Sequence, residues 1–323
     1  MSLRLIFCCL ISLGILHPAA EAAAAEPAQQ AAKAASKHKP ARAGLRRVAA
    51  ESGDLSLRSN VALVVDQSTG QPVISKNIDE VHPIASITKL MTAQVILDAQ
   101  LPMAERVLIT EADKDTERNS RSRLRVGAEL SRTELLQLAL MASENRAAHA
   151  LGRTFPGGMP AFVLQMNLKA KALGMGNSRF VDPTGLSSNN VSTAQDLVKM
   201  VRAADRYALI REYSTSSSRD VEVLGRVTRF SNTNRLVGSD SWDISLSKTG
   251  FINEAGRCLV MQAKIDGRPL TIVLLDSVGR MTRIGDANRI RKWLTSQAGQ
   301  GAVRPLGQNI APRMSGFGEA AGG

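Results

Sequence analysis

The sequence predicts an α+β fold, in which an antiparallel sheet is built from both ends of the chain around an inserted helical region. Alternating apolar and polar residues, typical of strands, occur near the start of the chain and return near its end, at 60–66, 72–77, 221–224, 244–247, 258–265 and 270–275. Between these two groups, the pattern of residues 86–212 is mostly helical, and residues 283–294 predict a closing helix.

The start of the 323-residue chain resembles a secretory signal peptide over residues 1–22. Arg4 precedes a short apolar run, and Ala20-Glu21-Ala22 fits a small-x-small cleavage site. The run is too short for a comfortable membrane span. We therefore expect no transmembrane anchor after cleavage, and a periplasmic protein that is soluble or loosely attached to the envelope. An uncleaved anchor is the alternative.

The rest of the chain divides into a leader, a folded domain and a tail. Residues 23–50 are rich in Ala, Lys and Arg and predict a flexible basic leader. Residues 51–297 are numerous enough for one large core. Residues 298–323 are rich in Gly and Ala with little periodicity, which predicts a disordered tail.

Charge, aromatic content and cysteine count limit the function classes. The net charge of +12 suits an anionic polymer or membrane surface as partner. It would also suit nucleic acid, but only 3% of the residues are aromatic and no nucleic-acid motif occurs, so we expect no nucleic-acid binding. Cys258 is the only cysteine outside the signal segment, which predicts no internal disulfide and a buried strand position. His82 and His149 belong to no metal-spaced cluster, so we expect structural roles for them and no metal or cofactor.

Three short strings carry the chemical information, and they occur in the order Ser86-Ile87-Thr88-Lys89, Ser143-Glu144-Asn145 and Lys248-Thr249-Gly250. None is convincing alone, because Ser-x-x-Lys occurs elsewhere too and each string also fits an ordinary cap, turn or strand. The interpretation rests on their order, separation and local context.

The first string predicts a serine nucleophile with its base. Pro83 and the apolar run 90–97 predict a helix that starts near Ser86, with Lys89 on the same face at i+3. The positive end of the helix dipole favours the negative charge that grows on Ser86 during attack. Burial beside further positive charge lowers the pKa of a lysine, so Lys89 could take the proton of Ser86.

The second string interrupts an apolar helical region. Ser131 and Glu134 form a capping box that starts an apolar helix, and the string ends that helix before a second helical stretch. Polar side chains between two buried helices need partners. We expect a turn facing a cleft, with Ser143 as proton relay between Lys89 and a leaving amine, and Asn145 as hydrogen-bond partner of a substrate amide.

The third string follows a strand pattern. Gly250 would allow a substrate backbone to approach closely. Lys248 and Thr249 would offer a cation and a hydroxyl to a substrate carboxylate. The backbone N–H groups of Ser86 and Phe251 are the expected donors to an oxyanion.

Together the strings resemble the penicillin-binding protein and serine β-lactamase superfamily, whose motifs are Ser-x-x-Lys, Ser-x-Asn and Lys-Thr-Gly. The surroundings, including residues 138–148 and 247–253, are similar to its low-molecular-mass D,D-peptidases, and most similar to the periplasmic endopeptidase type. The resemblance covers roughly residues 55–295. It implies a β-lactamase/D,D-peptidase-like fold with the active site between sheet and helices, and a catalytic domain at 51–297.

The resemblance also implies a function. A serine D,D-endopeptidase of this kind would hydrolyse D-alanyl-diaminopimelate cross-links between peptidoglycan stem peptides through an acyl-Ser86 intermediate, with Lys89 as base. Residues 179–186 lack the glutamate that activates the deacylating water in class A β-lactamases, so β-lactams are expected to act as covalent inhibitors. Two alternatives stay open. One is a D,D-carboxypeptidase that removes terminal D-alanine from pentapeptide stems, and the other is a catalytically weak protein that binds the cell wall through the same cleft.

Overall fold

An antiparallel sheet organises this protein, whose computed structural model describes residues 55–296. The predicted signal peptide, leader and tail lie outside the described residues. Within the described range the strands are β1 Ser59–Asp66, β2 Pro72–Lys76, β3 His82–Pro83, β4 Arg106–Leu108, β5 Glu129–Ser131, β6 Val191–Ser192, β7 Ser218–Val223, β8 Arg226–Ser231, β9 Asp243–Ile252, β10 Gly256–Ile265 and β11 Arg268–Ser277. The α-helices in that range are α1 Lys89–Asp98, α2 Arg132–Met141, α3 Asn145–Arg153, α4 Gly158–Ala172, α5 Ala194–Ala204, α6 Ala208–Thr215 and α7 Thr282–Thr295.

The main sheet joins the two ends of the described chain, in the order β2-β1-β11-β10-β9. β1 pairs antiparallel with β11, so that Val61 lies opposite Leu275. The apolar run in β1 is buried on both faces of the sheet, because Val61 packs into one core and Ala62 into the other. The helical region between β2 and β9 covers the first face, and α7 covers the second. The predicted α+β arrangement is therefore confirmed.

Two local predictions were confirmed: the capping box at the start of α2 and the buried strand position of Cys258. Ser131 caps α2 by accepting a hydrogen bond from the backbone N–H of Glu134, and the Glu134 carboxylate accepts from the Ser131 backbone in return. Cys258 is fully buried in β10, as its apolar neighbours predict.

Two local predictions were wrong. The helix predicted from Ser86 begins only at Lys89, because Ala85 has a left-handed φ of 48° and residues Ala85–Thr88 form a tighter 3₁₀ turn. Pro83 does not open a helix but lies in β3, which pairs with β6. The strand near 221–224 does not join the main sheet either, since β7 and β8 form a separate hairpin.

No helix in the described part of the chain is long and apolar enough to cross a membrane.

Candidate active site

A cleft of about 460 Å³ lies between β9, the edge strand of the sheet, and the helical layer. The three sequence strings meet there, although they are far apart in the chain. The predicted site residues that line the cleft are Ser86, Ser143, Asn145, Thr249, Gly250 and Phe251. The other two predicted site residues, Lys89 and Lys248, lie buried beneath the floor of the cleft, with exposed fractions of 0% and 1%. The structure thus brings every predicted site residue to one place.

Lys89 makes three hydrogen bonds that fix its amine beside Ser86. Its Nζ lies 2.8 Å from the Ser86 Oγ, 2.8 Å from the Asn145 Oδ1 and 2.6 Å from the Thr184 carbonyl oxygen. The i+3 spacing places the two side chains together because the 3₁₀ turn runs directly into α1. These contacts lie within the range that proton transfer requires.

The environment of Lys89 favours its neutral form. Burial lowers the pKa of the Lys89 ammonium from an ordinary 10.5 to about 7, although the carboxylates of Asp182 and Glu144 act in the opposite direction. A substantial fraction of the amine is therefore unprotonated near neutral pH. An unprotonated amine in contact with a serine hydroxyl can act as a general base without histidine.

Ser143 occupies a strained turn that ends the first of two buried helices. Its φ of 60° is left-handed, which is uncommon for serine, and it projects the hydroxyl toward β9. The Lys248 Nζ donates to the Ser143 Oγ at 2.9 Å and to the Thr249 carbonyl oxygen at 2.9 Å. The turn therefore connects the helical layer to the sheet at the cleft.

Lys248 has no counter-charge of its own among the described residues. Burial holds the pKa of Lys248 well below its ordinary value, and the positive charges of Lys89 and Arg283 lower it further. An anion entering the cleft would supply the missing negative charge and favour the protonated amine. This electrostatic pattern suits recognition of a carboxylate.

Asn145 and Glu144 are held by the start of α3. The Asn145 Nδ2 donates to the Ser120 Oγ at 3.0 Å while its oxygen accepts from Lys89, so the amide orientation is fixed from both sides. The Glu144 carboxylate caps α3 by accepting from the Arg146 backbone N–H, and it also accepts from the Ser122 hydroxyl at 2.6 Å. Burial raises the pKa of Glu144.

Gly250 brings β9 against the turn that carries Ser86. A Cβ atom at this position would lie 2.9 Å from the Ile84 carbonyl oxygen and 3.1 Å from the Ser86 backbone nitrogen, which is tighter than side chains normally tolerate. The absence of a side chain therefore lets β9 approach the Ser86 backbone closely, where Ser86 and Phe251 both line the cleft. Among the described strands, β9 pairs only with β10, so some of its backbone donors are available to the cleft.

The loop after Phe180 contributes a group that sequence reasoning missed. The Asp182 carboxylate accepts from the backbone N–H groups of Thr184, Gly185 and Ser187, at 2.6, 2.8 and 3.1 Å, and so folds the loop around itself. This places the Thr184 carbonyl oxygen on Lys89. A backbone acceptor leaves no side-chain signature, and only the turn signal Asp182-Pro183-Thr184-Gly185 could have indicated it.

Arg283 is a second residue that sequence reasoning missed. It lies in the first turn of α7 and lines the cleft. Its Nε and Nη1 atoms are buried and find no hydrogen-bond partner within the described residues. No short motif surrounds it in the sequence, so it could be found only after α7 was placed against the sheet.

No histidine of the described residues lines this cleft. The His149 Nδ1 lies 2.8 Å from the Asp113 Oδ1, in a cluster that also includes Arg153, and His82 contacts Glu80. Among residues 55–296, no group of three or more His, Cys, Asp or Glu side chains is placed to hold a metal ion.

Comparison with known proteins agrees with this geometry. The chain is 50% identical to a D-alanyl-D-alanine endopeptidase of Pseudomonas aeruginosa, over 74% of this chain and 77% of that protein. It is 45% identical to a D-alanyl-D-alanine endopeptidase of Escherichia coli, over 80% of this chain and 83% of that protein. The crystal structure of the Streptomyces K15 DD-transpeptidase superposes with a TM-score of 0.69 at 27% identity, covering 74% of this chain and 97% of the other.

The family-level match gives the same result. Residues 47–279 match the D-alanyl-D-alanine carboxypeptidase family, peptidase family S11. This range contains all three strings and most of the described fold. The chain therefore belongs to the S11 family of serine D-alanyl-D-alanine peptidases.

Proposed function

We propose that this protein is a serine D,D-endopeptidase that hydrolyses D-alanyl-diaminopimelate cross-links of peptidoglycan through an acyl-Ser86 intermediate. The observation that carries the chemistry is the 2.8 Å contact between the Ser86 Oγ and a fully buried Lys89 amine whose pKa is lowered to about 7. The endopeptidase preference rests on the relatives at 45–50% identity, which carry that name.

The first half of the reaction acylates Ser86. The neutral Lys89 amine accepts the hydroxyl proton as the Ser86 Oγ attacks the D-alanyl carbonyl carbon. The carbonyl oxygen becomes an oxyanion, which the backbone N–H groups of Ser86 and Phe251 stabilise. Asn145 fixes Lys89 and also offers its amide to the substrate backbone.

The second half releases the amine and restores the serine. The amide C–N bond breaks as the departing nitrogen takes a proton through the Ser143 hydroxyl, which lines the cleft with Ser86 and accepts a hydrogen bond from Lys248. Water then attacks the Ser86 ester, the donor stem leaves with a carboxylate, and the proton returns to the Ser86 Oγ. Lys248, Thr249 and Arg283 hold the carboxylate next to the scissile bond.

β-Lactams would acylate the same serine. Asp182 is the acid in the loop that faces the site, and its carboxylate is already occupied by five donors of that loop. It is therefore unsuited to activating a deacylating water. This supports covalent inhibition by penicillin with slow release.

Digestion of purified muropeptides tests the proposal. Wild-type protein should convert cross-linked dimers to monomers, with little D-alanine released from pentapeptide, and Ser86→Ala should abolish the conversion. Release of D-alanine alone would identify a carboxypeptidase. Inertness toward both substrates, with stem-peptide binding intact, would favour a wall-binding protein. Unchanged dimer cleavage by Ser86→Ala would refute the acyl-Ser86 mechanism.

We further propose the organisation suggested by composition: a signal peptide at 1–22, a basic leader at 23–50, a catalytic domain at 51–297 and a tail at 298–323. This organisation suits a periplasmic enzyme of cell-wall biogenesis and cell shape. The cations of the leader would hold it near anionic envelope polymers. Fractionation of the full chain and of a version without 23–50, with sacculus binding measured at low salt, tests both statements.

A further inference from the structure

A row of positive charges leads out of the cleft along the end of the sheet. Lys248 lies beneath the cleft and Arg283 lines it. Burial lowers the pKa of both groups, and neighbouring cations, including Arg283 for Lys248 and Arg257 for Arg283, lower it further. The row continues to Arg257 on β10, which pairs with Phe251 on β9. The Arg257 guanidinium lies 4.2 Å from the centre of the Phe251 ring, and that ring is 50% exposed at the cleft.

The outer cations of this row have no anionic partner. Within residues 55–296, no carboxylate lies within ion-pair distance of Arg257 or Arg283. The acids on the neighbouring segments are engaged elsewhere, since Glu254 pairs with Arg118 and Asp276 accepts from Asn60. Arg283 also has two buried nitrogens without partners in that range. Unpaired guanidinium groups at the edge of a cleft favour binding of carboxylates.

Strand geometry shows which part of a substrate would meet this row. Thr249 and Phe251 are two residues apart on β9, so their side chains project from the same side of the strand. Arg257 lies directly opposite Phe251 and projects to that side as well. Thr249 is the hydroxyl proposed to contact the carboxylate beside the scissile bond. Phe251 and Arg257 therefore continue outward on the side that receives the leaving group.

We propose that Arg257, stacked on Phe251, forms a subsite beyond Lys248, Thr249 and Arg283 for the carboxylate-bearing stem peptide that leaves when a cross-link is cut. This inference rests on the proposed function. D-alanine released from a pentapeptide carries one carboxylate, held inside the cleft. A leaving stem peptide is longer and carries further carboxylates, which Arg257 would meet. The ring of Phe251 holds the planar guanidinium of Arg257 over its face and leaves the N–H groups at the edge of the guanidinium free to donate. The subsite thus favours cross-links over pentapeptides.

The test uses cross-linked dimers with free carboxylates on the leaving stem, and the same dimers with those carboxylates amidated. Arg257→Gln should lower kcat/KM for the free dimer about tenfold, the effect of losing one charge-assisted hydrogen bond. The rate constant for acylation of Ser86 by penicillin, which lacks a leaving stem, should stay within about twofold. Amidation should reduce cleavage by the wild type but have no further effect on Arg257→Gln. Arg257→Lys should recover part of the loss.

Arg226→Gln is the matched control, because it removes an exposed cation from β8 without touching the cleft. Thermal unfolding of each variant reports structural damage. Equal losses on dimer and penicillin for Arg257→Gln, no loss on either, or an equal amidation effect in both enzymes would each overturn the subsite. A wild type that leaves dimers intact would instead refute the proposed endopeptidase, and the subsite with it.

Discussion

The pH dependence of Ser86 acylation is the most direct consequence of the buried Lys89 amine. With a pKa of about 7, about half of the amine is neutral at pH 7 and about 1% at pH 5. Since the neutral amine is the base, acylation should fall about 50-fold between pH 7 and pH 5. With the ordinary pKa of 10.5, only about 0.03% would be neutral at pH 7 and the midpoint would lie far above neutrality.

Glu144→Gln should move the midpoint of the pH profile of Ser86 acylation to lower pH. The Glu144 carboxylate favours the charged form of Lys89, so its removal should lower the pKa of Lys89 further. More neutral amine is then present at acid pH, and the midpoint of the acylation profile should move to lower pH. Glutamine keeps an oxygen that can accept from the Arg146 backbone and from Ser122, so α3 should stay capped.

The assay is the second-order rate constant for labelling by a fluorescent penicillin, measured from pH 5 to pH 8 with circular dichroism at each pH to verify folding. Glu129→Gln, which removes an exposed carboxylate on β5, is the control and should leave the midpoint unchanged. A rate that does not vary between pH 5 and pH 7, or a Glu144→Gln midpoint that moves upward, would refute the reasoning.

Three further predictions concern single side chains. Lys89→Arg should lower penicillin acylation about 1000-fold, because a guanidinium does not lose its proton near neutral pH; retained labelling would argue against Lys89 as base. Gly250→Ala should lower the same rate about 100-fold, since its Cβ would lie 3.1 Å from the Ser86 nitrogen and displace an oxyanion donor. Asp113→Asn should destabilise the fold by about 3 kcal/mol in chemical denaturation, because it leaves Arg153 without its buried partner; a change below about 1 kcal/mol would contradict this.

The parts of the site that could be predicted are those encoded within a few residues of each other. Ser86 and Lys89 are one turn apart, and Ser143 and Asn145 are two polar residues in an apolar region, so each pair has a local signature. The sheet was also predictable, because its strands carry apolar alternation and a recognisable turn connects β1 to β2. Local periodicity could not show that Ala85 adopts a left-handed φ, which delays α1 to Lys89.

The parts that could not be predicted depend on tertiary placement. Arg283 reaches the cleft only because α7 packs against β10 and β11, and nothing in its sequence neighbourhood distinguishes it from other arginines. The Thr184 contact is made by a backbone oxygen, which any residue would supply. The hairpin of β7 and β8 has the alternation of a sheet strand, and periodicity alone does not specify which sheet a strand joins.

The tight packing of Gly185 constrains how antibiotic resistance could arise in this protein. A Cβ atom at Gly185, whose φ is +79°, would lie 1.9 Å from the Ala85 carbonyl oxygen, so this loop packs directly against the nucleophile turn. The same loop positions Lys89 through the Thr184 carbonyl. A variant that remodelled the loop to admit a hydrolytic water would displace the base that first forms the acyl-enzyme. Efficient hydrolysis of a β-lactam bound at Ser86 would therefore also require substitutions that restore the position of Lys89.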